Sequence, residues 1–233
     1  MTKSNSCIYL FPLFPFFNLS HIRVFEQMTK EDSSLLYSIL YENYREVFNE
    51  IKENCTIAYF LDEKDKESIP EEINNKIPEI IWINSFSLNK EIKSLNDRYF
   101  KKFHNNLIIF SHSIGTSSTD IKKIFSLLEM EDESILLGRA NDERITLVGF
   151  NSYNEMFLGN ITEDRNHYNE LLIKAGKEEN FVHTLNEFML IETREDFIRL
   201  YDELSKKESL QYCNQNIHEK FTHLFIEYKD LLK

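Results

Sequence analysis

An apolar run, Leu107-Ile108-Ile109-Phe110, stops abruptly at Ser111-His112-Ser113-Ile114-Gly115. Four consecutive apolar residues suit a strand buried on both faces. In open α/β sheets, ligands gather just past the carboxyl ends of such strands, so His112 and Ser113 stand where chemistry is expected. An imidazole prefers softer transition metals to hard cations. No second histidine lies at ligand spacing, which weights His112 toward a structural role. Arg23, in a loop after an N-terminal apolar run, can grip a phosphate bidentately or be an ordinary surface arginine. Asp142 lies between two apolar runs, where aspartate favours a turn.

These residues need elements to hold them. Residues 7–11 read as a first strand, with Pro12 and Pro15 in the loop that follows. A signal peptide is the competing reading. The prolines interrupt the apolar stretch, only Lys3 precedes it, and no small-x-small cleavage site follows. The stretch is also too short to span a bilayer, so it is expected to be retained. Thr29, followed by Glu31 and Asp32, marks a helix start. Leu35, Leu36, Ile39, Leu40, Val47, Phe48 and Ile51 form its apolar face. Residues 55–61 and 80–83 read as strands, and the charged 62–76 stretch as a solvated loop with a short helix. Leu88, Ile92, Leu95, Tyr99 and Phe103 mark a second helix, and another starts near Ser117. The second core covers 136–150 and reads strand, turn, strand. A helix over 163–175 is expected to end on Gly176, and two short apolar runs cover 181–185 and 188–191. Thr193 and Asp196 form a capping-box-like start for a helix carrying Phe197, Leu200 and Leu204. Ile217, Phe221, Leu224, Phe225, Tyr228 and Leu232 define a last helix, expected on the sheet. Strands alternating with helices predict an α/β, Rossmann-like fold with a mostly parallel mixed sheet flanked by helices. The expected organisation is one domain over 1–233, with 207–233 a helical extension.

Composition narrows the function. The 233 residues suit one large domain, and 42% hydrophobic content supports a sizeable core, rich in 19 phenylalanines and 11 tyrosines. There are 5 glycines, against about 16 at ordinary usage. Phosphate-cradling glycine loops are correspondingly scarce, and neither G-x-G-x-x-G nor a Walker lysine loop occurs. The formal net charge of -12 disfavours nucleic acid and anionic membrane surfaces. Cys7, Cys55 and Cys213 are few and scattered, giving neither a disulfide framework nor a zinc site. A reducing, cytoplasmic setting fits them.

In order and spacing, residues from about 8 to 204 resemble the bacterial GT-A glycosyltransferase-like proteins of the nucleotide-diphospho-sugar transferase superfamily. The family's Lys-Thr-Arg-Leu element corresponds to His21-Ile22-Arg23-Val24, which keeps the arginine. Leu35-Leu36-Tyr37 matches the first helix, and Leu88-Asn89-Lys90-Glu91-Ile92 a later one. The family's Ser-Asp-x-Pro-x strand end corresponds to Ser111-His112-Ser113-Ile114-Gly115, with His112 in place of the aspartate. Its Gly-Pro-Ala-x-Asp-Gly-Gly element corresponds to Gly138-Arg139-Ala140-Asn141-Asp142-Glu143-Arg144, which keeps Asp142 but not the double glycine. Its Asp-x-Asp-Thr-x-Glu-Asp element corresponds to 190–196, with Glu192 at the second acidic position.

The resemblance implies a GT-A fold with one strand running against the rest and a donor site at the strand ends. It implies sugar transfer from a nucleotide-diphosphate sugar. Arg23, His112 and Ser113 would face that donor, with Asp142 or Glu192 as base or residual metal ligand. Magnesium or manganese would bind weakly if at all, since His112 removes a hard oxygen ligand. The losses gather at the donor edge, so a non-catalytic GT-A-like domain binding a ligand or protein partner is the alternative.

Overall fold

In a computed structural model, residues 5–77, 79–85, 88–140, 143–159, 161, 168–177, 181–185 and 187–232 are described. The strands are β1 (Ser6–Phe11), β2 (Thr56–Asp62), β3 (Ile80–Ile83), β4 (Asn105–Phe110), β5 (Ser113–Ile114), β6 (Ser134–Arg139), β7 (Ile145–Phe150), β8 (Phe181–Thr184) and β9 (Met189–Leu190). The helices are α1 (Lys30–Asn49), α2 (Glu71–Asn74), α3 (Leu88–Arg98), α4 (Ser118–Leu128), α5 (Glu155–Leu158), α6 (Tyr168–Lys177), α7 (Arg194–Leu204) and α8 (Gln215–Glu227).

Seven strands form one sheet in the order β3-β2-β1-β4-β7-β6-β8, and β5 pairs with β9 in a small second sheet. Strand β7 runs antiparallel to both neighbours, β4 and β6. The other pairings in the large sheet are parallel. This mixed, mostly parallel α/β sheet agrees with the sequence reading. The 107–110 run lies in β4, between β1 and β7, with every residue of the strand buried. Each such fully buried large apolar side chain contributes about 1.5–3 kcal/mol.

Local signals fix the helix starts. Thr29 caps α1 by accepting the Asp32 amide at 3.0 Å. Ser117 and Thr193 form reciprocal capping boxes with Asp120 and Asp196 at the starts of α4 and α7. Helix α1 lies on the sheet, where the Tyr41 hydroxyl donates to the Phe60 carbonyl at 3.2 Å.

Three details differ from the sequence reading, and part of one helix reading lies outside the described residues. Leu35 is exposed, on the edge of the α1 apolar stripe. Gly176 lies inside α6 and does not end it. Residues 163–167, assigned to that helix, are outside the described residues. The last helix packs against α1, through Lys220–Glu42 and Tyr228–Asp32 contacts, and against α7, through Phe225 on Phe197. Among the described residues, no helix is long and apolar enough to cross a membrane.

Candidate functional site at the carboxyl edge of β1 and β4

The loop after β1 is apolar, yet its backbone still needs partners. Asp65 provides them. Its carboxylate accepts the amides of Phe16 (3.0 Å), Phe17 (2.9 Å) and Asn18 (2.9 Å). Successive amides aimed at one point make an anion cradle, and here a side chain of the same protein fills it. Asp65 is completely buried. Burial pushes its carboxyl up from the ordinary value, with the three amides opposing. Asp62, at the end of β2, holds the turn carrying Asp65 by accepting the amides of Lys64 (2.9 Å) and Ser85 (3.1 Å).

Anchored this way, the loop presents Phe14 and Arg23. The Arg23 guanidinium lies 5.6 Å from the centre of the Phe14 ring, within cation–π range. Phe14 in turn packs on His112, with centroids 4.1 Å apart, and Tyr37 of α1 meets the imidazole edge-on at 4.9 Å. His112 is therefore buried beneath an aromatic layer, and its Nδ1 lies 3.4 Å from the Ser111 hydroxyl. Burial pushes the Tyr37 hydroxyl above its ordinary value; Arg23 opposes that shift and Glu192 adds to it. Ser113 turns inward as well. Its hydroxyl donates to the Phe110 carbonyl and pairs with the Tyr44 hydroxyl, both at 2.7 Å.

Topology brings the remaining groups to the same place. Because β7 is reversed, its first residues lie beside the end of β4. The turn before it closes through Ala140 N–H to the Arg144 carbonyl (2.7 Å) and Glu143 N–H to the Ala140 carbonyl (3.1 Å), which sets Arg144 at the edge. From the other side, the β5–β9 pairing continues with Ile191 N–H donating to the His112 carbonyl at 2.9 Å. That contact delivers Glu192. Arg144 then spans two carboxylates, with Nη1 2.6 Å from Glu192 Oε2 and Nη2 3.4 Å from Asp196 Oδ2. Asp196 Oδ2 also accepts the amides of Glu192 (3.1 Å) and Thr193 (3.0 Å). Arg23 Nη1 approaches the same Glu192 oxygen at 3.5 Å.

Exposure separates the two arginines. The Arg23 side chain is 56% exposed, against 11% for Arg144, 6% for Glu192 and 5% for Asp196. Arg23 can therefore meet a ligand from solvent, whereas Arg144 is a buried partner of the two carboxylates.

Of the residues singled out in the sequence, Arg23, His112 and Glu192 converge through Phe14 and Tyr37. Ser113 is adjacent but engaged with α1. Asp142 lies outside the described residues. Sequence reasoning missed Arg144 and the Asp65 anchor. Asp65 was readable: it follows the apolar β2 run, so the strand-end rule that selected His112 selects it too. Arg144 becomes legible only once β7 is known to be reversed.

The seven-stranded order with its one antiparallel member makes a Rossmann-like α/β fold that solved structures share. The crystal structure of a candidate nucleotide-diphospho-sugar transferase from Desulfovibrio desulfuricans G20 is similar at a TM-score of 0.76, covering 97% of this chain and 99% of that one, with 15% identity. The 4-diphosphocytidyl-2C-methyl-D-erythritol synthase of Anaerococcus prevotii DSM 20548 has a TM-score of 0.52, covering 88% of this chain and 97% of that one, with 12% identity. At such identities the likeness is one of fold. No protein-family model matches the chain, and no curated protein matches it in sequence.

Proposed function

We propose that this is a divergent glycosyltransferase-like protein that binds a nucleotide-diphosphate sugar at the carboxyl edge of β1 and β4 and holds it without transferring the sugar. The carrying observation is the division of labour between the two arginines. Arg23 is exposed over Phe14 and offers a forked cation to a diphosphate. Glu192, the candidate base, has its Oε2 held by Arg144 at 2.6 Å and approached by Arg23. A general base needs a lone pair within reach of the proton it removes, and that oxygen is committed to guanidinium. The three cysteines, all free and buried, fit a reducing, cytoplasmic location.

Titrating the protein with UDP-, GDP- and dTDP-linked hexoses, while assaying release of nucleoside diphosphate, tests this reading. Saturable binding of one nucleotide class without release is expected. Release that disappears in Glu192→Gln or Asp142→Asn establishes sugar transfer instead. Absence of binding across the panel refutes the nucleotide-sugar ligand altogether.

A further inference from the structure

Proteins of this fold implied by the sequence resemblance would hold magnesium or manganese between carboxylates and the donor diphosphate, where the metal offsets phosphate charge. The residues present here do not fit that arrangement. We infer that Arg144 is a resident cation: its guanidinium takes the place between Glu192 and Asp196 that a divalent ion would need, and the site receives its anionic ligand without metal.

Three observations carry this inference. First, Arg144 Nη1 and Nη2 each address a different carboxylate, at 2.6 and 3.4 Å, and all three side chains are nearly buried. A guanidinium stays protonated at any physiological pH, so the charge is permanent. Second, one oxygen of each carboxylate is committed. Asp196 Oδ2 already accepts two backbone amides as well as Arg144, and Glu192 Oε2 is approached by both Arg144 and Arg23. A hard cation wants six or more oxygens with free lone pairs. Third, charge balances within the cluster. The Arg23 and Arg144 guanidinium charges lie against the Glu192 and Asp196 carboxylates, which weakens their pull on a divalent ion. Among the described residues, no three His, Cys, Asp or Glu side chains gather in a metal-holding arrangement.

The inference rests on the same edge as the proposed ligand site, but its decisive arm uses Mn2+ alone, so either can fail while the other stands. Manganese bound by the full-length protein is measured by loss of the free Mn2+ paramagnetic resonance signal. The fraction that matters is the part that Glu192→Gln removes. That fraction is expected to be nil in the wild type. In Arg144→Ala the two carboxylates are released, and a Glu192-dependent Mn2+ site is expected to appear, along with a rise in melting temperature on adding millimolar Mn2+. Circular dichroism establishes whether that variant is folded. Glu192-dependent Mn2+ binding in the wild type overturns the inference, and this arm needs no folded variant at position 144. A folded Arg144→Ala protein that gains no Mn2+ site overturns it equally.

Discussion

Asp65→Ala is the substitution with the largest expected structural consequence. The lost carboxylate accepts three amides at 2.9–3.0 Å, two of them buried. Leaving a buried donor without a partner costs about 1–3 kcal/mol. Water can reach the Asn18 amide, and removing a buried carboxylate recovers part of its desolvation cost. The net loss is therefore about 3 kcal/mol, or about 6–12 °C in melting temperature for a chain of this size. Asp65→Asn keeps one acceptor oxygen and should lose about half as much. The pH dependence has a definite sign. The Asp65 carboxyl is raised above its ordinary 3.8, foremost by burial. The folded state therefore holds a proton that the unfolded chain releases, and the stability from this group falls as pH rises from 3.8 through the raised folded value. Urea unfolding of wild type and Asp65→Asn across that window should show the wild-type advantage shrinking with rising pH. A melting temperature for Asp65→Ala within about 1 °C of wild type, or an advantage that grows with pH, refutes the role given to this carboxylate.

Two further outcomes follow from packing and burial. A methyl group at Gly138 would come 2.7 Å from Leu147 Cγ and 2.9 Å from Phe188 Cε2, so Gly138→Ala should cost about 1–3 kcal/mol by overpacking; an unchanged denaturation midpoint would contradict it. Burial pushes the Cys55 thiol up to about 11 and the Cys7 and Cys213 thiols up to about 12. Ellman's reagent at mildly alkaline pH should find no reactive thiol in the native protein and all 3 in urea. Stability should also fall as pH rises above 9.0, where unfolded thiols ionise and folded ones do not. Rapid native labelling would place at least one cysteine outside the core.

Much of the scaffold was legible because its signals are local. The 107–110 run, the Thr29, Ser117 and Thr193 caps, and the periodicity of α1 each depend on a few neighbouring residues. The site was legible only in part. His112 and Arg23 could be singled out because strand ends and loop arginines can be read along the chain. Their environment could not be, because the aromatic layer over His112 joins Phe14, Tyr37 and the end of β4. Arg144 needed the reversal of β7, a long-range fact that no spacing encodes. Asp65 was hidden by its neighbours: the charged 62–76 stretch reads as solvated, yet two of its aspartates, Asp62 and Asp65, are buried as anchors for loops.

The central claim is that an exposed Arg23 at the strand edge binds a nucleotide-diphosphate sugar without metal. Calorimetric titration of wild type and Arg23→Ala with the nucleotide sugar, in the presence of EDTA, tests it most directly. A lost charged hydrogen bond is worth about 1.5–3 kcal/mol, so the account predicts wild-type binding in EDTA and a weakening of about 10- to 150-fold in Arg23→Ala. Wild-type binding that appears only when Mn2+ is supplied, or an Arg23→Ala affinity equal to wild type, would contradict it.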